Sequence, residues 1–321
     1  MTGTFKRIGS MRTISGQQYV LKVGDSEAHI ASIGATLRGY SCHGVDLLMP
    51  FDAAEERPAM RGALLAPWPN RTANAEYRFR GSAYALPMNE PERGNASHGL
   101  VSDLDFTPIS EGAQELTLTA MVGPQPGYPW SIRLDVRFVL REEGLTQSVT
   151  ATNESMESAP FGMGGHPYLL AGNPGPTAVD GWTLELPANE VLLVDPVRYL
   201  PQKLVYVDEY ERGCFDFRTP RKIGQTVLNN AFTGLARDGT GRATVRLFNG
   251  QRTGVELELS AECKWVQLYT TDVPGSPVHR HALAVEPMTC PPDALNSGRD
   301  LRVLAPGESV HVEWVLRRLG G

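Results

Sequence analysis

The chain has 321 residues, of which 41% are hydrophobic and 21% charged, and this composition is that of a globular protein with ample length for a large core. A net charge of -6 without a basic block argues against a nucleic-acid partner, and the lack of an 18-residue apolar run argues against a membrane span. The N-terminal residues contain no apolar targeting segment, so we expect a cytoplasmic protein.

Alternation of apolar and polar residues dominates the chain and predicts many short strands. Turn signals such as Asn249-Gly250 separate the alternating runs, and the best short helical stretch, 53–61, is interrupted by Pro58. We therefore predict an all-β fold, a large antiparallel β-sandwich with few short helices, formed by a single domain over residues 1–321. The alternating runs are 19–23, 116–119, 132–140, 243–248, 255–262 and 310–316, and we also expect a strand at 145–153.

A dense polar region at residues 61–106 contains the first candidate site residues. Two prolines flank Trp68, and Asn70 and Arg71 follow them, so the backbone there should be rigid. The guanidinium of Arg71 offers a fixed fork of donors that suits hydroxyls or a carboxylate, although an arginine that only pins a loop has the same signature. The region ends in a loop with His98 beside a glycine, a context that suits a functional histidine.

A second histidine lies in the glycine-rich stretch 162–170. We expect Gly164 and Gly165 to let the backbone approach a ligand closely, and Pro167 to fix the chain after His166. Tyr168 can supply a stacking face or a hydroxyl. A structural histidine in a turn is the alternative interpretation.

Two strand-like runs near the C-terminus carry the remaining candidates. Gln267 lies between apolar neighbours in 265–270, and the apolar run 282–285 leads to Glu286. Pro287 follows at once, so we expect the strand to end there. A carboxylate at the end of a buried strand is costly unless it is paired or used, and a structural ion pair would also explain it.

Two histidines and one carboxylate on separate strands or loops form a set suited to proton transfer. The histidines at 279 and 281 are the only close pair and lack a placed third ligand, so no metal is predicted. Neither a nucleotide-binding loop nor a nucleophile motif is present, and the four cysteines form no CxxC, so no cofactor is predicted. The residues alone leave a glycosidase with two carboxylates open.

Taken in order along the chain, these stretches resemble the aldose 1-epimerase (galactose mutarotase) family, as a diverged member of bacterial type. The resemblance covers the chain from about residue 30 to its end and implies a β-sandwich with a sugar in an open cleft. It also implies an isomerase that interconverts the α and β anomers of a free aldose without a cofactor. The stretches that carry it are Asn70-Arg71, the loop from Asn89-Glu90 to His98-Gly99, His166-Pro167-Tyr168, 265–269 and Val285-Glu286-Pro287.

The resemblance also assigns roles to single residues. Glu286 matches the family's general base at the C1 hydroxyl, His166 the general acid at the ring oxygen, and His98 a second histidine near the reacting centre. Arg71 and Gln267 match residues that bind sugar hydroxyls, with Asn70 beside them, and Tyr168 follows the acid. Burial should raise the pKa of Glu286, and the nearby carboxylate should keep His166 charged.

One position departs from the family pattern. Where members usually carry an aspartate that binds ring hydroxyls, this chain has Asn229. An amide donates as well as accepts hydrogen bonds and has no charge, so the usual preference between galactose and glucose is in doubt.

Two other functions remain open at this point. A hexose-6-phosphate 1-epimerase would need a cationic clamp, to which Arg61, Arg71 and Arg93 can contribute. A non-catalytic carbohydrate-binding protein on the same fold would lack one of the three acid–base residues, and here all three are present. We expect the partner to be a small sugar and the protein to be a monomer or a weak homodimer.

Overall fold

The computed structural model describes residues 13–320, and antiparallel strands dominate this part of the chain. The first 12 residues, on which the expected lack of a targeting segment rests, lie outside the described residues, as does Gly321. The predicted fold class is confirmed. Within residues 13–320, the helical segments are α1 (Ala178–Gly181), α2 (Ala294–Ser297) and the 3-10 turns Pro58–Met60 and Glu211–Gly213, and none could cross a membrane. In chain order the strands are β1 (Gln18–Val23), β2 (Ser26–Ala31), β3 (Thr36–Cys42), β4 (Val45–Asp46), β5 (Leu64–Leu65), β6 (Arg71–Ala73), β7 (Glu76–Phe79), β8 (Ser82–Ala85), β9 (Asn95–Ser97), β10 (Thr107–Glu111), β11 (Glu115–Val122), β12 (Ile132–Arg141), β13 (Gly144–Asn153), β14 (Ala159–Phe161), β15 (Gly164–Gly165), β16 (Tyr168–Leu169), β17 (Thr183–Glu185), β18 (Ala188–Val194), β19 (Pro201–Tyr206), β20 (Arg221–Lys222), β21 (Asn229–Leu235), β22 (Ala243–Phe248), β23 (Gly254–Leu259), β24 (Trp265–Tyr269), β25 (Leu283–Met288), β26 (Arg302–Leu304) and β27 (Ser309–Leu319).

Two large sheets form the sandwich. One has the strand order β10-β11-β12-β13-β27-β23-β22-β17-β20, and the other has the order β19-β18-β21-β24-β25-β15-β5, with β16 also paired to β25. Trp314 on β27 reaches Gly165 on β15, so the two sheets face each other across the core. A smaller sheet, β1-β2-β3-β4, packs against β12.

Apart from 19–23, which lies in β1 of the small sheet, the alternating sequence runs became strands of the nine-stranded sheet. On β12, Leu134, Val136 and Phe138 are fully buried, whereas Arg133 and Arg137 on the other face of the strand pair with carboxylates at the surface. Burial of such a side chain contributes about 1.5–3 kcal/mol. A strand whose residues alternate in this way can bury only one face, which is why the period of two predicted these elements well.

The stretch 53–61 is not an α-helix. It forms turns and the single 3-10 turn Pro58–Met60, because Ala59 and Met60 adopt φ values of 46° and 59°. Left-handed backbone at two consecutive residues ends any right-handed helix.

The expected strand end at Glu286 was also wrong, because β25 continues through Glu286 and Pro287 to Met288. The N–H of Val285 donates to the carbonyl of Pro167, and that of Thr289 to the carbonyl of Met163. Since alternate N–H groups of a strand point to one side, the N–H that Pro287 lacks would fall on this same side. The ladder between β24 and β25 therefore loses no donor.

The two glycines before His166 serve packing rather than the approach of a ligand. A Cβ atom on Gly165 would lie 2.7 Å from Cζ2 of Trp314, and one on Gly164 would lie 2.6 Å from the carbonyl oxygen of Pro287. Both positions are thus occupied by the protein itself, which explains why side chains are excluded there.

The substitution Gly165→Ala should destabilise the fold by about 1–3 kcal/mol, since the added methyl group forces the Trp314 ring to move. Denaturant unfolding measures this. In a Trp314→Phe background the same substitution should cost less, because the clashing ring atoms are gone. Gly123→Ala is the matched control, as no atom lies within 4 Å of its added Cβ. Equal costs in both backgrounds would contradict the contact.

Candidate active site

A single row of side chains crosses one face of the eight-stranded sheet. In the strand register Leu192 is opposite Ala231, Ala231 is opposite Gln267, and Gln267 is opposite Glu286. Residues directly opposite each other on neighbouring strands present their side chains on the same face, a few ångströms apart. The first half of the row is apolar and the second half is polar.

His166 ends this row. The pairs Gly164–Met288 and Tyr168–Ala284 flank it on β15 and β16, so the same register places His166 opposite Glu286. A neighbouring segment also holds the backbone of His166, whose N–H donates to the carbonyl of Ala63 at 3.0 Å. We call Leu192, Ala231, Gln267, Glu286 and His166 the site row.

Tyr168 fixes the orientation of the His166 ring. The two rings stack with centroids 5.1 Å apart and planes inclined by 13°. The Tyr168 hydroxyl donates to the carbonyl of Ala59 at 3.0 Å, and the guanidinium of Arg61 also lies over the tyrosine ring. The hydroxyl of Tyr168 is therefore hydrogen-bonded to the backbone, and the ring of Tyr168 packs against the imidazole of His166.

The carboxyl of Glu286 and the imidazole of His166 are in contact. Oε1 of Glu286 lies 3.3 Å from Nε2 of His166, and the two residues are only 2% and 5% exposed. The His98 ring stands edge-on to that of His166, with centroids 5.4 Å apart. Buried polar atoms of this kind are costly unless a ligand or water satisfies them. At this site, four such atoms have no hydrogen-bond partner among the described residues: Oε2 of Glu286, Oε1 of Gln267, and Nδ1 of His98 and of His166.

Burial sets the protonation of these groups. It raises the pKa of Glu286 to about 8, with Arg71 opposing the shift, and it lowers the pKa of His166 to about 3. The pKa of His98 is held well below its usual value, first by burial and then by the neighbouring His166. Near neutral pH the Glu286–His166 pair therefore holds one proton. The expectation that the carboxylate keeps His166 charged was wrong for this geometry, because desolvation disfavours both charged forms.

Arg71 lies at the rim of the site and is oriented by its neighbours. Its Nε and Nη2 donate to the two carboxylate oxygens of Glu90 at 2.8 and 2.9 Å, a bidentate pair. Its guanidinium and that of Arg93 each lie 5.1 Å from the ring centroid of Tyr199. Sequence reasoning missed the roles of Glu90 and Tyr199. The proximity of Glu90 to Arg71 in the polar region was a usable signal, whereas the stretch around Tyr199 carried none.

Asn70 and Asn229 each hold another predicted residue in place. Oδ1 of Asn70 accepts from the N–H of Arg71, and the Asn70 carbonyl accepts from the N–H of His98, both at 2.9 Å. Oδ1 of Asn229 accepts from Nε2 of Gln267 at 2.9 Å. The predicted residues thus converge on one place, and the two asparagines are hydrogen-bonded to other members of the set.

The two aspartates near the site in sequence have structural partners. Asp272 accepts from Arg280 at 2.6 Å, and Asp293 accepts from the N–H of Ala73 at 2.9 Å. Within residues 13–320, no three histidine, cysteine or acidic side chains are arranged to hold a metal ion.

Comparisons with known proteins agree with this architecture. The family model for aldose 1-epimerase matches residues 17–317. The chain is 36% identical over 295 residues to the uncharacterized protein YihR of Escherichia coli K12, covering 92% of this chain and 91% of that protein. Solved structures share the fold as well, and two of them illustrate the likeness. The GalM/aldose epimerase homologue of C. elegans has a TM-score of 0.81 and 19% identity, with 94% and 98% of the two chains covered. The galactose 1-epimerase of Lactobacillus acidophilus NCFM has a TM-score of 0.78 and 18% identity, with 98% of each chain covered.

Replacing Glu286 by Gln should stabilise the protein at pH 8. A carboxyl whose pKa rises from 4.5 to about 8 on folding contributes stability below its unfolded pKa, and that stability is lost as the pH rises towards 8. The amide does not ionise, so Glu286→Gln should gain on the order of a few kcal/mol over wild type between pH 4.5 and 8. Thermal unfolding across this range measures the difference. Loss of stability at pH 8 would instead indicate a stabilising ion pair with His166.

Proposed function

Since the chain belongs to the aldose 1-epimerase family, we propose that it is an isomerase that interconverts the α and β anomers of a free aldose. The observation that supports this most directly is the contact between Glu286 and His166, two buried titratable groups 3.3 Å apart that together hold one proton. Opening of a sugar ring requires one group that accepts the proton of the C1 hydroxyl and one that donates a proton to the ring oxygen, and both oxygens are bonded to C1. The pair meets this requirement.

The proposed reaction moves one proton in each direction. Glu286 takes the proton of the C1 hydroxyl, His166 gives a proton to the ring oxygen, and the C1–O5 bond breaks to leave an open-chain aldehyde. Rotation about C1–C2 exposes the other face of the aldehyde, and the C5 hydroxyl attacks it while both protons return. Because O1 and O5 are bonded to the same carbon, two groups in contact with each other can reach both oxygens.

These roles require the shared proton to lie on His166 when the sugar is bound. Without sugar, desolvation favours the neutral forms of both groups. A sugar hydroxyl that donates to the free Oε2 of Glu286 stabilises the carboxylate and lowers its pKa. The 3.3 Å contact then provides the route by which the proton passes to the imidazole.

The other predicted residues bind and orient the sugar in this proposal. His98 is neutral, and its free Nδ1 makes it a hydrogen-bonding group rather than a proton carrier. Arg71 uses Nε and Nη2 for Glu90, which leaves Nη1 for a sugar hydroxyl. Its positive charge also opposes the rise in the pKa of Glu286, and so supports the carboxylate form.

Among residues 13–320, no contact favours the phosphate-sugar alternative. Arg71 is paired with Glu90, Arg93 contacts Glu90 and Glu92, and Arg61 donates to the carbonyl of Pro50. The non-catalytic alternative does not explain why Glu286 and His166 are buried in contact with each other. The cytoplasmic location and the oligomeric state remain predictions.

Glu286→Gln and His166→Asn should each lower kcat for mutarotation of α-D-glucose or α-D-galactose by about 10²–10⁴, since each removes one partner in proton transfer. Polarimetry of freshly dissolved sugar, corrected for the uncatalysed rate, measures this. Glu256→Gln, on the nine-stranded sheet, is the matched control and should keep the wild-type rate. If wild type accelerates no free aldose, the proposed function is wrong.

The pH profile offers an independent check. The pair holds one proton between the two pKa values of about 3 and about 8, so kcat/KM should be level from pH 5 to 7. Above about pH 8 the remaining proton is lost, and kcat/KM should fall towards tenfold per pH unit. A rate that stays level through pH 10 would show that Glu286 and His166 do not share the reacting proton.

A further inference from the structure

Gln267 presents an unused acceptor next to the carboxyl of Glu286. It is 3% exposed, and its Oε1 has no hydrogen-bond partner among residues 13–320. Oε2 of Glu286 is in the same situation. Since the two residues are directly opposite each other on β24 and β25, their free oxygens lie side by side on one face of the sheet. Two adjacent acceptors match two adjacent hydroxyl donors.

Asn229 holds the nitrogen end of the Gln267 amide. Its Oδ1 can only accept, so the hydrogen bond of 2.9 Å requires Gln267 to turn its nitrogen towards Asn229. The carbonyl oxygen of Gln267 must then point the other way. Asn229 lies diagonally behind Gln267, on β21 opposite Tyr269, and is therefore placed to act through Gln267.

The order of the site row identifies the sugar atom that Gln267 faces. Glu286 lies between His166 on one side and Gln267 on the other. The anomeric carbon likewise lies between O5 and C2 in the sugar ring. With Glu286 at the C1 hydroxyl and His166 at O5, the remaining neighbour of Glu286 faces the substituent on C2.

We propose that Asn229 is a positioning residue that holds Gln267 as an acceptor, so that Gln267 and Glu286 together select aldoses with a hydroxyl at C2. The inference rests on the proposed function and narrows its substrate class. A 2-deoxy sugar would leave the buried Oε1 of Gln267 without a donor. Such a loss corresponds to about 10- to 100-fold in kcat/KM.

The test compares D-glucose with 2-deoxy-D-glucose, using NMR of the anomeric protons to obtain kcat/KM for each. Wild type should prefer glucose by about 10- to 100-fold. Asn229→Ala frees the Gln267 amide to rotate, so the ratio should fall towards 1. Asn229→Asp still accepts from Gln267 and cannot donate, so the preference should remain.

The neighbouring asparagine provides the control. Asn230 points to the opposite face and donates to the carbonyl of Leu192, so Asn230→Ala should keep the wild-type ratio even if it lowers stability. A wild-type ratio near 1, or an unchanged ratio in Asn229→Ala, would overturn the inference and leave the proposed mutarotase intact. Loss of the preference for glucose in Asn229→Asp would show that the amide of Gln267 points the other way, and this too would overturn the inference. Failure to accelerate either sugar would overturn both proposals.

Discussion

The burial of Glu286 is the constraint on which the rest of the site depends. A carboxyl in the middle of a sheet cannot be solvated, so its charge is costly and its proton is retained to about pH 8. The same desolvation keeps His166 neutral, and contact between the two produces a pair that holds one proton. Loops could not maintain this state, because water would reach the carboxyl and return its pKa to an ordinary value. The sandwich supplies the dry surroundings.

The surrounding residues divide into groups that face the site and groups that hold them there. Tyr168 stacks on His166, Asn70 connects Arg71 to His98, and Asn229 turns Gln267. Substitution of a supporting residue therefore acts on the chemistry through a neighbour's orientation.

The sequence predicted the strands well, because the period of two is a local signal that survives folding on β12, β23 and β27. It failed at Pro287, where the missing N–H would point towards Gly165 on β15 and away from β24, as only the register reveals. The candidate residues were found through their types and family resemblance. Their arrangement in one row was not predictable, since it depends on pairing between distant segments. Gly165 was assigned to a ligand for the same reason, because Trp314 lies far along the chain.

The division between strand and loop has an evolutionary consequence. Gln267, Glu286 and the segment around His166 share backbone hydrogen bonds with strands on both sides, so an insertion there would shift the whole register. Tyr199 lies instead in a surface turn held by the carboxylate of Asp195. Such a turn tolerates changes in length and sequence. A lineage can therefore remodel the mouth of the site while the buried pair of Glu286 and His166 is inherited unchanged.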